Sequence, residues 1–459
     1  MERTNNIKNA TRMSNNNNLV PINGELVICP RQGKTKTVFR SEAEAEAEAK
    51  AYQENLTRPA DRQLVPYYCK SCGGWHLGVR RHYGDSGILG TATILSSRAT
   101  ESTQWRQYRC GNRPTGHGYA AEDANALADR RHGHRVEKTG WDNSSDGPDR
   151  IVDGVKIQTK YCQSARASVN SAFDKQTGKY RYPNQKLEVP KDQYDEAVKV
   201  MEEKIRDGKV EGVTDPAQAK DLVRKGHYTY DQAVKIAKAG NWESIKFDIR
   251  NQAGASATAG AISAAMTFAS AKHQGATTGE ALKASSIQAG KTAGKTMVTG
   301  VATQQFLRTS AGRTTTAVLQ KSANKVIDAA MRSGVGRKVV EKTAEGVGKR
   351  AMAGAAARNV LSRTASTNVI TASAAFVVSA IPDTVRLCTG KISGKEFGER
   401  TACNGAGAVG GTSGAWAGAA IGSCICPGIG TAIGGFIGGI AGGIGASAGV
   451  GRLFHKKKN

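Results

Sequence analysis

Apolar and polar positions alternate in different rhythms along this chain, and each change of rhythm marks a change of architecture. From Glu25 the run ELVICPRQGKTKTVF alternates with a period of two on either side of Gly33, which predicts strand, turn and strand. Ser41 followed by Glu44 is a capping-box spacing, and it predicts that EAEAEAEAKAYQEN is a helix. Further on, Ile151 and Val152 precede Asp153-Gly154, a dipeptide that favours two-residue hairpin turns. Val155, Ile157 and Thr159 then share one strand face and Lys156, Gln158 and Lys160 the other. After Pro190, Tyr194, Ala197, Val198, Met201 and Ile205 fall at helical spacing, and Gly208 closes that helix. Short helices follow, with starts at Asp215-Pro216 and Thr229 and a stop at Gly240.

From Ala253 the pattern becomes rich in Ala, Gly, Ser and Thr, with basic clusters such as Arg337-Lys338 between long helical stretches. Thr364 to Ile381 is the first run near membrane-spanning length. Near the end, Gly410, Gly414, Gly418 and Gly422 recur every fourth residue, and Gly430, Gly434, Gly438 and Gly442 repeat the stripe after Pro427. Tandem GxxxG stripes let two helices approach closely, so residues 401–459 are expected to form a transmembrane helical hairpin with a basic tail, Lys456 to Lys458. A tightly packed hairpin outside a membrane is the alternative, because glycine lowers hydrophobicity and helix propensity together.

The expected organisation is therefore multidomain. Residues 1–24 are polar, asparagine-rich and expected to be disordered; 25–82 form a small α+β metal-binding module; 83–104 are a linker. An α/β core over 105–210 comes next, then a helical connector over 211–250, an all-α Ala/Gly-rich region over 251–400 and the glycine-zipper hairpin. The chain has 459 residues and a formal net charge of +26, which points to a polyanionic partner, nucleic acid or an anionic membrane. The polar start carries no secretory leader, and nine unevenly placed cysteines suit a reducing cytoplasm.

Two candidate metal centres change the picture. Cys69, Cys72 and His76 have the spacing C-x2-C-x3-H around a glycine pair, the ligand set of a tetrahedral zinc site; Cys29 is the candidate fourth ligand and His82 its competitor. A structural zinc that staples a module too small to hold itself by burial is the expectation. The segment resembles a zinc-ribbon-like module ending in CGGWHL. Lys70, Arg80, Tyr67, Tyr68 and Trp75 would also let it touch nucleic acid. The second centre is the hairpin: Asp149, at the start of its first strand, faces Gln158 and Lys160 across it. Hard carboxylate and amide oxygens suit Mg²⁺ or Mn²⁺, and an ammonium group beside them would orient a water or steady phosphate charge.

The stretch GPDRIVDGVKIQTKY resembles the PD-(D/E)XK, or restriction-endonuclease-like, nucleases, with Pro148-Asp149 as the PD element and Gln158-Thr159-Lys160 as the (D/E)XK element. Glutamine in the acid position matches the QxK form of Mrr-like restriction enzymes. The preceding run from Gly116 to Gly140 is similar to the family's first helix, and Glu122 matches the acid that this helix often contributes. The resemblance implies a restriction-endonuclease-like core, catalysis by Glu122, Asp149, Gln158 and Lys160, and Mg²⁺ held by Asp149, Gln158 and Glu122. Joined to the hairpin, it implies a membrane-associated endonuclease acting on double-stranded DNA. Its setting would be bacterial defence or a toxin, at the inner membrane with the zinc and nuclease domains in the cytoplasm. Glycine-zipper helices would also support a homo-oligomer. The alternative is a membrane-perturbing effector whose nuclease-like domain only binds nucleic acid.

Overall fold

The structure is a computed structural model that describes residues 11–13, 19–21, 25–29, 34–54, 64–69, 71–79, 95–96, 99–100, 116–139, 146–273, 276–348 and 353–425, and residues 438–453 in part. Strands β1 (Thr11–Met13) and β2 (Leu19–Pro21) pair antiparallel inside the segment expected to be disordered, where Leu19 and Val20 supply local β propensity. Strands β3 (Glu25–Cys29) and β4 (Lys34–Val38) form the expected first ribbon. Helix α1 (Glu42–Glu54) starts at Ser41, whose Oγ accepts from Glu44 N, while the Glu44 carboxylate accepts from Arg40 N. Strands β5 (Leu64–Cys69) and β6 (Gly74–Val79) make a second ribbon, tied to the first by reciprocal backbone bonds between Phe39 and Trp75. Phe39, Ala45 and Ala49 are its buried centre.

The middle of the chain is a five-stranded sheet in the order β11-β10-β9-β8-β7. Strands β7 (Val136–Lys138), β8 (Arg150–Val152) and β9 (Val155–Thr159) form an antiparallel meander, and β10 (Lys186–Val189) and β11 (Val223–Lys225) run parallel to β9. The β8–β9 turn is the expected one, with φ of 49° at Asp153 and 87° at Gly154. Helix α2 (Gly116–Arg131) covers one face, and its small Ala120, Ala121 and Ala124 let it sit close to Tyr161. Helices α3 (Ala165–Asn170) and α4 (Tyr194–Arg206) cover the other, where Val198, Met201 and Ile205 meet Leu187 and Val189.

The sheet reaches past residue 210. Helix α5 (Ala219–Leu222) leads directly into β11, inside the segment expected to hold helices alone. Three residues, VRK, are too few to show a period; Val223 is buried and its register against Leu187 adds the fifth strand. Helix α6 (Tyr230–Ile236), capped by Thr229 and Gln232, then packs on α2.

The remainder is helical: α7 (Trp242–His273), α8 (Thr278–Arg308), α9 (Ser310–Met331), α10 (Gly334–Gly348), α11 (Gly354–Cys388) and α12 (Gly394–Ile425). Helices α7 and α8 pair along a seam of small and polar groups. Ser263 and Thr292 hydrogen-bond at 2.9 Å, and the buried Asp248 takes both terminal nitrogens of Arg308 at 2.6 and 2.7 Å. The expected linker also joins this seam, since Gln252 Nε2 donates to Thr100 Oγ1 at 3.2 Å and Ser96 Oγ donates to Thr296 O at 3.0 Å. Ser96 and Thr100 therefore serve as docking groups.

Candidate functional site

Asp149 opens β8, and the strand geometry explains how its side chain is used. Its own N–H donates to Ile157 O at 2.9 Å, which makes Gln158 and Thr159 its next neighbours across the hairpin. Asp149 Oδ2 accepts from Thr159 N at 2.7 Å and from Gln158 Nε2 at 3.0 Å. Burial pushes the Asp149 carboxyl up from its ordinary value; the Thr159 N–H and the Lys160 charge work against that rise. Gln158 is buried, and its Oε1 has no hydrogen-bond partner. A buried amide oxygen left bare costs free energy, and a hard cation would satisfy it. Lys160 is half-buried, with Nζ 5.2 Å from the centroid of Tyr182 and its backbone N–H on Glu188 O.

Glu122 stands apart from this group. Gln158 pairs with Leu187, which belongs to the α4 side of the sheet, whereas α2 lies on the side of Arg150 and Thr159. Glu122, on α2 and half-buried, is therefore across the sheet from the Gln158 and Lys160 side chains. Asp149, Gln158 and Lys160 are brought together; the fourth member of the expected set is not on their face.

What fills the α2 face is a buried charge network that sequence patterning did not reveal. Arg150 is 1% exposed and donates to Asp129 Oδ2 at 3.1 and 3.0 Å, to Thr159 Oγ1 at 2.9 Å and to the Glu188 carboxylate. Asp129 also receives Arg224 and, at 2.8 Å, His227 Nε2, and His227 stacks on His132 at 5.2 Å. Burial alone would raise the Asp129 carboxyl, but the His227 hydrogen bond and the two arginines outweigh it and hold it down at about 2. One signal was available: Arg150 shares the face of Val152, a core position, and an arginine there demands buried acids.

The second centre is the β5–β6 turn. Cys72 N and Gly73 N both donate to Cys69 O, and Gly73 has φ of 69°, so the tight turn carries Cys69 and Cys72 round one point. One ligand atom each from Cys69, Cys72 and His76 lies within 4.8 Å of the others. His76 is fully buried; its Nδ1 lies 2.6 Å from Thr37 O, and its Nε2 has no partner. Nδ1 therefore carries the proton, and Nε2 presents a lone pair beside two cysteine sulfurs, a donor set suited to Zn²⁺. The Cys29 backbone lies in β3, while its side chain and His82 fall outside the described residues.

In the glycine zipper, Gly410, Gly414, Gly418 and Gly422 lie on α12, and Gly438 and Gly442 lie against it; Gly430 and Gly434 are outside the described residues. A methyl group added at Gly442 would sit 3.0 Å from Gly414 Cα and closer still to Gly410 O. Only glycine permits that approach. Helix α11 is long and apolar enough to cross a membrane.

Comparison with known proteins bears on the sheet unit. No solved structure matches. Over 122 residues, 26% of this chain and 24% of the relative, the chain is 47% identical to the inner membrane protein YeeR of Escherichia coli (strain K12), so the match spans about a quarter of that protein's length. Residues 96–206 match the model of the YeeR C-terminal domain, which runs from the segment docked on α7 and α8 to the end of α4 and includes Asp149, Gln158 and Lys160.

Proposed function

We propose that the chain is a membrane-associated, metal-dependent DNA endonuclease of the restriction-endonuclease-like type. The observation that carries this reading is the bare, buried Gln158 Oε1 beside the Asp149 carboxylate, with Lys160 on the same strand. Asp149 and Gln158 would hold Mg²⁺ or Mn²⁺, which when bound supplies charge neutralisation and an activated water at a phosphodiester. The Lys160 ammonium would steady the charge that develops on the phosphate, and the Thr159 N–H fixes the Asp149 rotamer through Oδ2. The YeeR relative is named as an inner membrane protein, which supports the membrane part of the reading. Cys69, Cys72 and His76 would hold a structural Zn²⁺, with Cys29 as fourth ligand.

The test is plasmid cleavage by the full chain with and without Mg²⁺ or Mn²⁺. Cutting that needs the metal and is lost in Lys160→Ala and Asp149→Ala, both still folded, is the expected result. Cutting that persists in both variants would overturn the assignment. Because the Asp149 carboxyl is raised, metal-dependent activity should fall on the acid side at a higher pH than an ordinary aspartate would give. Zinc analysis of Cys72→Ser against the parent tests the second centre.

A second reading keeps support from one observation, the many large apolar side chains exposed on the helical half. In it the helices perturb a membrane and the sheet unit only binds nucleic acid. Dye release from vesicles by the Lys160→Ala chain, with no cutting by the parent, would favour it.

A further inference from the structure

The end of the helical bundle where α9, α10 and α11 converge has a chemistry of its own. Ile327 and Met331 of α9 and Val340 and Ala344 of α10 pack on Ala357 and Leu361, near the start of α11. With that stripe turned inward, the outward faces of α9 and α10 combine two kinds of side chain. Val318, Val326 and Val335 are 60%, 71% and 77% exposed. Lys321, Lys325, Arg332, Arg337 and Lys338 are exposed among them.

The charge there is one-sided. Residues 310–348 hold seven lysines and arginines against three acids, and the acids are used internally. Asp328 pairs with Arg358, Glu341 accepts from Gly354 N, and Glu345 pairs with Lys342. The outward basic groups thus present a positive rim studded with valines. The rim lies where α11 begins, and no charged residue occurs on α11 from Thr364 to Pro382. The far end of that run is nearly balanced, with Arg386, Lys391, Lys395 and Arg400 against Asp383, Glu396 and Glu399, and there Asp383 and Glu396 are paired with Arg400.

We infer that the rim formed by α9 and α10 is a binding surface for the phosphate headgroups of anionic lipid. Its lysines and arginines lie among the headgroups and its valines reach the acyl boundary. A run of apolar residues entered through a positive rim is also the arrangement that keeps the basic end on the cytoplasmic side. Valine beside lysine suits a lipid surface better than a nucleic acid, which has no apolar layer to receive Val326 and Val335. The inference rests on the membrane reading of the proposed function and specifies where the headgroups bind.

The experiment places a tryptophan at Val326 in the full chain, reconstituted in phosphatidylcholine vesicles with or without about one-third phosphatidylglycerol. Quenching by brominated lipid is read as the difference from the parent chain. Quenching at least about twice as strong with phosphatidylglycerol, and lowered to the neutral-vesicle value by Lys325→Glu with Lys338→Glu, is expected. Equal quenching in both vesicles, or none, would overturn the inference, as would protection of the tryptophan from aqueous iodide without lipid quenching, which would mean a protein partner covers the face. Retention of the same chain in vesicles after an alkaline wash separates failure of this inference from failure of the membrane reading.

Discussion

The sheet unit and the seam between α7 and α8 bury different kinds of residue. Around the sheet, Ile157, Leu187, Val198 and Met201 are inside, and the charged groups that join them are bonded to one another. In the seam between α7 and α8 the buried residues include Ser256, Ser263, Thr292, Thr296 and Thr303 beside Phe247 and Leu307, while Val298 and Phe306 of the same pair face outward. Water drives large apolar groups inward. Helices in lipid lack that drive and pack through small residues and interhelical hydrogen bonds. The difference teaches that the two regions are held by different packing rules, large apolar groups in one and small and hydrogen-bonded groups in the other, and each prediction below strains one side of that comparison.

The largest effect belongs to the sheet. Replacing Arg150 by Met removes the cation shared by Asp129 and Glu188 and leaves two carboxylates with less compensation in a dry site. A cost of about 3–5 kcal/mol is expected, because breaking a buried pair from one side strands its partner. Thermal unfolding should show the sheet transition lost or far lower, with the helical signal of α7 to α12 retained. A melt unchanged by this substitution would mean that the network is ornamental.

Next comes the zipper. Gly414→Leu puts a side chain where Gly438 O and Gly442 Cα already stand, the latter 3.0 Å from the first added carbon. Overpacking costs about 1–3 kcal/mol, and here the close approach itself would be lost. The thermal transition of the helical half should move down accordingly, while the sheet unit melts as before.

These two sites differ in how far they could be read in advance. The glycine stripe was legible because a four-residue period survives any tertiary context, and the Asp153-Gly154 hairpin because the turn demands φ > 0. Asp149 with Gln158 and Lys160 followed from that hairpin by alternation alone. Of the Arg150 network only the demand for buried acids was legible: Asp129, Glu188 and Arg224 lie up to 95 residues apart, and only the fold assembles them. Glu122 shows the opposite failure, since its helix was identified but a sequence does not tell which sheet face a helix covers. Strand β11 was too short for any period, and the docking of Ser96 and Thr100 depends on helices that begin far downstream.

A smaller effect, about 2 kcal/mol, should appear on acidification. Asp129 has its carboxyl held at about 2 in the folded chain against an ordinary 3.8. A depressed carboxyl contributes stability that is complete above the ordinary value and is lost as pH falls from there through the folded one. The sheet transition should therefore weaken between about pH 4 and pH 2. Asp129→Asn should flatten that dependence at the cost of lower stability at neutral pH. An acid limb equally steep in the variant would shift the cause to other carboxylates.

The smallest effect decides whether the inversion of burial is real. Ile157→Val deletes one methyl group from a fully buried position in β9 and should cost about 0.5–1.5 kcal/mol. Val326→Ser replaces two methyl groups by a hydroxyl on α9 where the valine is 71% exposed, and in detergent it should change stability by no more than about 0.5 kcal/mol. It is the larger chemical change of the two, so a smaller cost at Val326 reports its exposure. If Val326→Ser proves as costly as Ile157→Val, then α9 is covered by protein and the helical half is an ordinary core seen without its partner. If it is neutral in detergent but weakens retention of the chain in anionic vesicles, the outward valines are there to meet lipid.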